Sequence, residues 1–175
     1  REGSKISMSQ DYLSEKLVDG SGLSFAIVAA RYNCKFVEHL LERVITTLVE
    51  ASVEESDITT IRVPGSHEIP FAANLMAKTG DFQCVIGLGV VIAGETDHHN
   101  VIGMNVSKAL IEIGLDSGIP VINGILVVET TAQAEARCGE EIDRGADFGV
   151  AALEMATLSS RWRSGSDEEM VQKDK

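Results

Sequence analysis

The 175-residue chain has few positive charges, few cysteines and no long apolar run. Its 15 Lys and Arg residues face 27 Asp and Glu residues, which gives a formal net charge of −12. A field of that sign repels nucleic acid and anionic membrane surfaces. The longest comparable apolar stretch, 84–94, is interrupted by glycines and falls well short of the roughly 20 residues that a membrane helix needs. Nucleic-acid-binding and membrane-spanning functions are therefore disfavoured.

The three cysteines, Cys34, Cys84 and Cys138, are an odd number spread over the whole chain. They form no C-x-x-C pair and have no histidine at the spacing of a zinc site, so neither a disulfide framework nor a zinc centre is expected. The pattern predicts buried free thiols in a reducing compartment. No apolar signal segment is visible, and the expected location is the cytoplasm.

Apolar runs of strand length alternate with amphipathic stretches at helical spacing. Strands are predicted at 23–30, 58–63, 84–92 and 121–128. Helices are predicted at 35–50, 70–80, 98–118 and 131–158, the last with an interruption around 139–145. Strands that are apolar on both faces, with helices between them, indicate one α/β domain with a four-stranded parallel sheet covered on both sides. We place that domain at 23–160, after a flexible lead-in at 1–22 and before a charged, disordered tail at 161–175.

Ligands of open parallel sheets bind outside the carboxyl ends of the strands, and three polar segments follow such ends, at 30–33, 63–70 and 89–99. In the last, exposed amides of Gly94, Glu95 and Thr96 at a helix start favour a phosphate or carboxylate. His98 lies at the mouth of that helix, where an imidazole can exchange protons. The alternative is that Thr96 or Asp97 only caps the helix and the histidines are solvated.

Four other side chains have a functional and a structural interpretation each. His67 and Glu68 could form an acid/base pair, or Glu68 could simply complement a helix dipole. Tyr32 could stack on a flat ligand or pack over the edge of the sheet. Arg137 stands among acidic residues, which is typical of a surface salt bridge. The residues alone leave these alternatives open.

Taken together, the segments resemble the 6,7-dimethyl-8-ribityllumazine synthase family of riboflavin biosynthesis over about residues 23–160. The resemblance rests on AIVAARYN (26–33), VPGSHEIP (63–70), GETDH (94–98), QAEARCG (133–139), RG (144–145) and AALEM (151–155). It implies a three-layer α/β/α sandwich with a flavodoxin-like fold. It also implies condensation of 5-amino-6-(D-ribitylamino)pyrimidine-2,4-dione with 3,4-dihydroxy-2-butanone 4-phosphate, releasing phosphate and water, with no metal or organic cofactor.

The resemblance also implies a role for each matching residue. His98 takes the position of the general acid/base. Phosphate would be bound by Glu95, Thr96 and Arg137. The pyrimidine and its ribityl chain would be bound by Tyr32, Ser66, His67, Glu68, Val90, Val91, Ile92 and Asn123.

The family's architecture implies a homo-oligomer whose active sites lie between adjacent subunits. A pentamer, a decamer and a 60-subunit shell all remain open, as does a riboflavin synthase partner. Within one chain, Asn123 lies near the start of its strand, roughly 16 Å from the polar cluster, and Arg137 is displaced by ~13 Å along a helix. We therefore expect Asn123 and Arg137 to complete the site of a neighbouring subunit.

Two departures from the family pattern keep other functions in view. Ala93 stands where many relatives carry an arginine, and Asn123 where an aromatic residue usually closes over the pyrimidine. A non-catalytic flavin- or lumazine-binding shell protein would tolerate both changes. The other alternative is an enzyme like the archaeal type of riboflavin synthase, which the intact phosphate junction at 94–98 argues against, because its substrate has no phosphate.

Overall fold

A computed structural model describes residues 18–164 of the chain. In that range strands and helices alternate, with single 3-10 turns at Glu55–Asp57 and Ser66–Glu68. The strands are β1 (Phe25–Ala30), β2 (Ile58–Val63), β3 (Cys84–Ile92) and β4 (Val121–Val128). The helices are α1 (Cys34–Glu50), α2 (Ile69–Thr79), α3 (His98–Ser117), α4 (Thr131–Cys138) and α5 (Arg144–Ser164). None of these helices is both long and apolar enough to cross a bilayer.

The four strands form one parallel sheet in the order β2-β1-β3-β4. Helices α1, α4 and α5 pack on one face, and α2 and α3 pack on the other. Parallel strands joined through helices require this arrangement, because each crossover returns the chain over a face of the sheet. The predicted three-layer α/β/α sandwich with a flavodoxin-like fold is confirmed.

Burial follows the position of each strand in the sheet. All six residues of the inner strand β1 are fully buried, with alternate side chains entering the cores on the two faces. The sheet is covered on both sides as predicted, but the two edge strands are less buried than the inner ones. Only Val63 of β2, and Gly124 and Val128 of β4, are buried. An edge strand has a neighbour on one side only, so its helices leave part of it uncovered.

Element boundaries agree with the sequence pattern to within a few residues. Gly80 and Gly118 end α2 and α3 in the left-handed conformation, with φ of 80° and 68°, as glycine after a helix commonly does. Helix α5 continues to Ser164, past residue 160, where the domain was predicted to end. In this extension the Arg163 guanidinium donates a hydrogen bond to the Gly118 carbonyl. Residues 165–175 of the predicted tail and 1–17 of the predicted lead-in lie outside the described range. Gly20, also in that lead-in, is buried and donates its amide to Ala51.

Candidate functional site

A cavity of about 410 Å³ opens at the carboxyl edge of β1, β2 and β3. The three polar segments singled out in the sequence meet there, because parallel strands end at the same edge of a sheet. The lining residues are Tyr32, Asn33, Gly65, Ser66, His67, Val90, Val91, Ile92, Gly94, Thr96, His98, His99 and Ile102. Eight predicted site residues are thus brought together by the fold, and Glu68, Glu95, Asn123 and Arg137 do not line this cavity.

The segment after β1 presents an aromatic side chain to the cavity. Tyr32 is 75% exposed, so it does not pack over the edge of the sheet. Its neighbour Asn33 has a left-handed backbone (φ 54°) and donates its side-chain amide to the Val90 carbonyl at 2.7 Å. Asparagine tolerates that conformation better than most residues. Asn33 was not predicted as a site residue, although an asparagine between a strand and a helix was a usable signal.

The turn after β2 forms the opposite wall. Ser66 is buried against β3, whereas His67 is exposed. The Glu68 carboxylate accepts the Gly65 amide at 2.8 Å and lies 3.9 Å from the His67 ring. Glu68 therefore stabilises the turn through its carboxylate, which favours the structural interpretation over an acid/base pair with His67.

The close approach of Ser66 to β3 depends on glycine at position 89. A Cβ there would overlap the Ser66 hydroxyl and come within 3.2 Å of Ile125. We expect Gly89→Ala to lower the free energy of unfolding by about 1–3 kcal/mol, as overpacking does, in a urea titration. Gly94→Ala is the matched control, because its Cβ would meet nothing within 4 Å. Equal unfolding midpoints for the two variants would contradict this packing.

Three consecutive backbone amides in the loop from β3 to α3 have no backbone acceptor among the described residues. Within residues 18–164 the amides of Gly94, Glu95 and Thr96 donate to no other backbone group, and they precede a 20-residue helix. No side chain caps that helix, and Asp97 instead accepts a hydrogen bond from Asn100 at 2.6 Å. Asp97 does stand at the N-cap position, but neither its side chain nor that of Thr96 accepts a hydrogen bond from the first amides of the helix. Free amides at a helix start are suited to an anion.

The two consecutive histidines occupy different environments. His98, the first residue of α3, is exposed and lines the cavity, so its imidazole can exchange protons with a bound molecule. His99 is only 8% exposed, and the expectation that both histidines are solvated fails for it. Sequence reasoning missed His99 as a site residue, because a helix start does not by itself indicate which of two neighbouring side chains turns inward.

Asn123 and Arg137 lie on the flank formed by β4 and α4. Asn123 pairs in register with Gly87 and donates to Ser107 at 2.9 Å, well down α3 from the cavity. Arg137 lies near the end of α4, on the other face of the sheet, and donates to the Gln133 carbonyl at 3.3 Å. No ion pair of Arg137 is found in the described part of the chain, so the surface salt bridge is absent there. One chain does not bring these two residues into the cavity.

The thiols differ in accessibility. Cys84 and Cys138 are buried as predicted, and Cys34, at the start of α1, is exposed, so that part of the expectation is wrong. Burial raises the pKa of the Cys138 thiol to about 11 and that of the Cys84 thiol further still. Neither buried thiol is therefore a nucleophile near neutral pH. Among the described residues, no group of three or more His, Cys, Asp or Glu side chains could hold a metal ion.

The fold and the cavity define a parallel α/β protein with a small-molecule site at the carboxyl edge of its sheet. A sequence profile of 6,7-dimethyl-8-ribityllumazine synthase matches residues 22–160, and the chain belongs to that family. A protein of that name from Thermococcus kodakarensis is 38% identical to this chain, over 82% of this chain and 91% of the relative. The protein of that name from Desulfotalea psychrophila is 41% identical, over 78% of this chain and 89% of the relative. That from Bordetella petrii is 38% identical, over 90% of this chain and 89% of the relative.

Proposed function

We propose that this chain condenses 5-amino-6-(D-ribitylamino)pyrimidine-2,4-dione with 3,4-dihydroxy-2-butanone 4-phosphate to 6,7-dimethyl-8-ribityllumazine. The observation that carries the proposal is the cavity that joins an exposed aromatic ring, a set of unpaired amides and a histidine. Tyr32, Thr96 and His98 supply these three features at one edge of the sheet. They match a flat substrate, a phosphate and a series of proton transfers, respectively.

The phosphate of the butanone binds at the loop before α3. The chain as a whole is strongly acidic, so an anion needs local donors to be held. The amides of Gly94, Glu95 and Thr96 and the positive end of the α3 dipole supply them. Glu95 is exposed outside the cavity lining, so in this arrangement it contributes its backbone rather than its carboxylate.

The pyrimidine stacks on Tyr32 and lies against the end of β3. Val90, Val91 and Ile92 form that edge of the cavity. All three pair in register with β4, whereas β1 pairs with β3 only as far as Leu88. On the β1 side the Val90 carbonyl accepts from Asn33, and the backbone beyond it is left for the polar edge of the ring. The ribityl chain extends toward Ser66 and His67, in the turn that Glu68 caps.

His98 moves protons through a sequence that needs no metal. The pyrimidine amine attacks the butanone carbonyl carbon, and the resulting carbinolamine loses water to give an imine. Loss of a proton from the adjacent hydroxyl-bearing carbon expels phosphate and leaves an enol, which tautomerises to a new carbonyl with a terminal methyl group. The ribityl-bearing nitrogen then closes the ring on this new carbonyl with loss of a second water. One histidine near the reacting atoms can serve several of these transfers, and holding two reactants together supplies much of the remaining acceleration.

Members of this family are oligomeric, and the chain has a surface suited to such assembly. The outer face of α3 exposes large apolar side chains: Val101, Met104, Ile111 and Leu115 are between 45% and 78% exposed. A shallow groove of about 620 Å³ runs between α3 and β4 beside them. Exposed apolar surface of this kind favours an interface. We propose a ring, with the pentamer as its smallest form, in which the cytoplasmic enzyme hands its product to a riboflavin synthase.

In that ring, the β4 and α4 flank of one subunit completes the cavity of the next. Asn123 and Arg137 then reach a site that their own chain leaves open on one side. Asn123 would cover the pyrimidine with a polar amide rather than an aromatic ring. Arg137 would bind the phosphate opposite the loop amides, with a planar guanidinium suited to a phosphate's oxygens.

The direct test of the reaction mixes the protein with both substrates and follows lumazine absorbance and inorganic phosphate together. We expect both signals to rise in equal molar amounts. In a second assay with lumazine supplied alone, lumazine consumption with riboflavin formation would support a riboflavin synthase-like enzyme. Lumazine binding there, with no turnover in either assay, would identify a non-catalytic shell protein.

Replacing Arg137 by alanine should raise the butanone phosphate concentration needed for half-maximal rate by about ten- to a hundredfold, the range expected for a charge-assisted hydrogen bond. Arg137→Lys should recover only part of the loss, because the fork geometry is gone. Lys78→Ala is the charge-matched control, since Lys78 is exposed in the last turn of α2. Equal affinity of wild type and Arg137→Ala for inorganic phosphate would disprove the assignment.

A further inference from the structure

His99 is one of only three buried polar or charged residues in residues 18–164; the others are Thr47 and Ser66. It adjoins the proposed acid/base residue His98, yet its side chain is 9% exposed and turns away from solvent. Burying a polar ring is costly unless its nitrogens are hydrogen-bonded. The partners of the two ring nitrogens therefore indicate what the residue does.

The two nitrogens face different elements of the fold. Nδ1 lies 3.3 Å from the Thr96 carbonyl oxygen, and because a carbonyl only accepts, Nδ1 donates. Nε2 lies 3.4 Å from the Glu129 carboxylate, but it is buried and makes no hydrogen bond of good geometry. The ring therefore has one nitrogen fixed on the loop and the other directed at the residue that follows β4.

These contacts place His99 between the loop and the sheet. In the described part of the chain, its bond to Thr96 is the single side-chain hydrogen bond to residues 94–96. The other end of the loop is held by the Ala93 amide on the Val128 carbonyl at 2.8 Å. A Cβ at Gly94 would meet nothing within 4 Å, so no neighbouring side chain packs against the loop at that position. The loop is thus held at its two ends, and His99 holds the end next to α3.

We infer that His99 is a positioning residue for the phosphate-bearing substrate. By holding the Thr96 carbonyl, its imidazole anchors the end of the loop next to α3, so that the amides of residues 94–96 are ordered before the anion binds. Preorganised donors bind an anion more tightly than donors that must first be ordered. This inference rests on the proposed function, since it assigns the loop to phosphate. His99 itself transfers no proton to substrate.

The variants separate the two ring contacts. His99→Phe keeps a ring of similar size and removes both nitrogens. His99→Asn places an amide donor near the position of Nδ1, so it can still reach the Thr96 carbonyl. Asn100→Ala is the control, because it removes a side-chain hydrogen bond from the same helical turn, to Asp97, without touching residues 94–96.

The measurements are steady-state kinetics for each substrate and calorimetric titration with inorganic phosphate. For His99→Phe we expect the KM for butanone phosphate and the Kd for inorganic phosphate to rise about tenfold, the loss of one buried hydrogen bond. The kcat and the KM for the pyrimidine should stay within about twofold. His99→Asn should recover most of the loss, and Asn100→Ala should behave as wild type.

The outcomes distinguish this inference from the proposed function. Lumazine formation by the wild type with unchanged phosphate affinity in His99→Phe would overturn the inference and leave the function intact. Weakened phosphate binding in His99→Phe, with no lumazine formed by the wild type, would support the inference and overturn the function. Equal losses in both KM values, or no recovery in His99→Asn, would reduce His99 to a packing role.

Discussion

Replacing His98 by asparagine should lower kcat by about 10²–10⁴-fold, the usual contribution of a positioned acid/base. The half-saturating concentrations of both substrates should change little, because His98 is exposed at the cavity mouth and neighbouring groups hold the substrates. Steady-state measurement of lumazine formation, with each substrate varied in turn, gives both quantities.

The control is His39→Asn, which removes an exposed histidine of α1 that does not line the cavity. A kcat for His98→Asn that is measurably lower than that control, but only by about threefold, would show that bringing the reactants together dominates the acceleration. His98 would then be an orienting residue. An unchanged rate would remove it from the mechanism.

Activity should be restored when two defective proteins are refolded together. In rings with shared sites, His98→Ala subunits retain a good α4 flank and Arg137→Ala subunits retain a good cavity. Random mixing in equal amounts should give about a quarter of the wild-type sites, since half of the cavities and half of the flanks are intact. The assay uses butanone phosphate well below its KM, because there the raised KM of Arg137→Ala lowers the rate in proportion. Under this condition each of the two variants alone should retain at most about a tenth of wild-type activity.

The control for this experiment is to refold each protein separately and mix the products without subunit exchange. That mixture should show only the sum of the parental activities. If mixed oligomers form and stay as inactive as the parents, the site lies within one chain. A monomeric form of the wild type should be inactive for the same reason.

The layers of the fold could be predicted because each strand has a recognisable boundary. Pro64-Gly65 follows β2, Gly80 ends α2 and Gly118 ends α3, and between these signals the apolar spacing changes from strand to helix. The exposure of β2 and β4 was not predictable, because strand order is a tertiary property. A run such as VINGILVV (121–128) has the same composition whether it lies in the centre or at an edge.

The composition of the cavity was predictable where residues directly follow a strand, as Tyr32, Ser66 and Thr96 do. It was not predictable for His99, which is buried beside Glu129, a residue 30 positions later in the chain. Glu68 shows the opposite failure, since a residue in a suggestive motif turns its carboxylate to the backbone of its own turn. Local spacing identifies which segments converge but not the direction of each side chain.

The location of Asn123 and Arg137 on the β4 flank has a consequence for inheritance. Under the proposed architecture, each subunit contributes its cavity to one site and its flank to another. A subunit defective in both would silence two sites of a ring, whereas in a monomeric enzyme it would silence one. In a cell that makes normal and doubly defective chains in equal amounts, only about a quarter of the sites would be whole, so such an allele would be partly dominant.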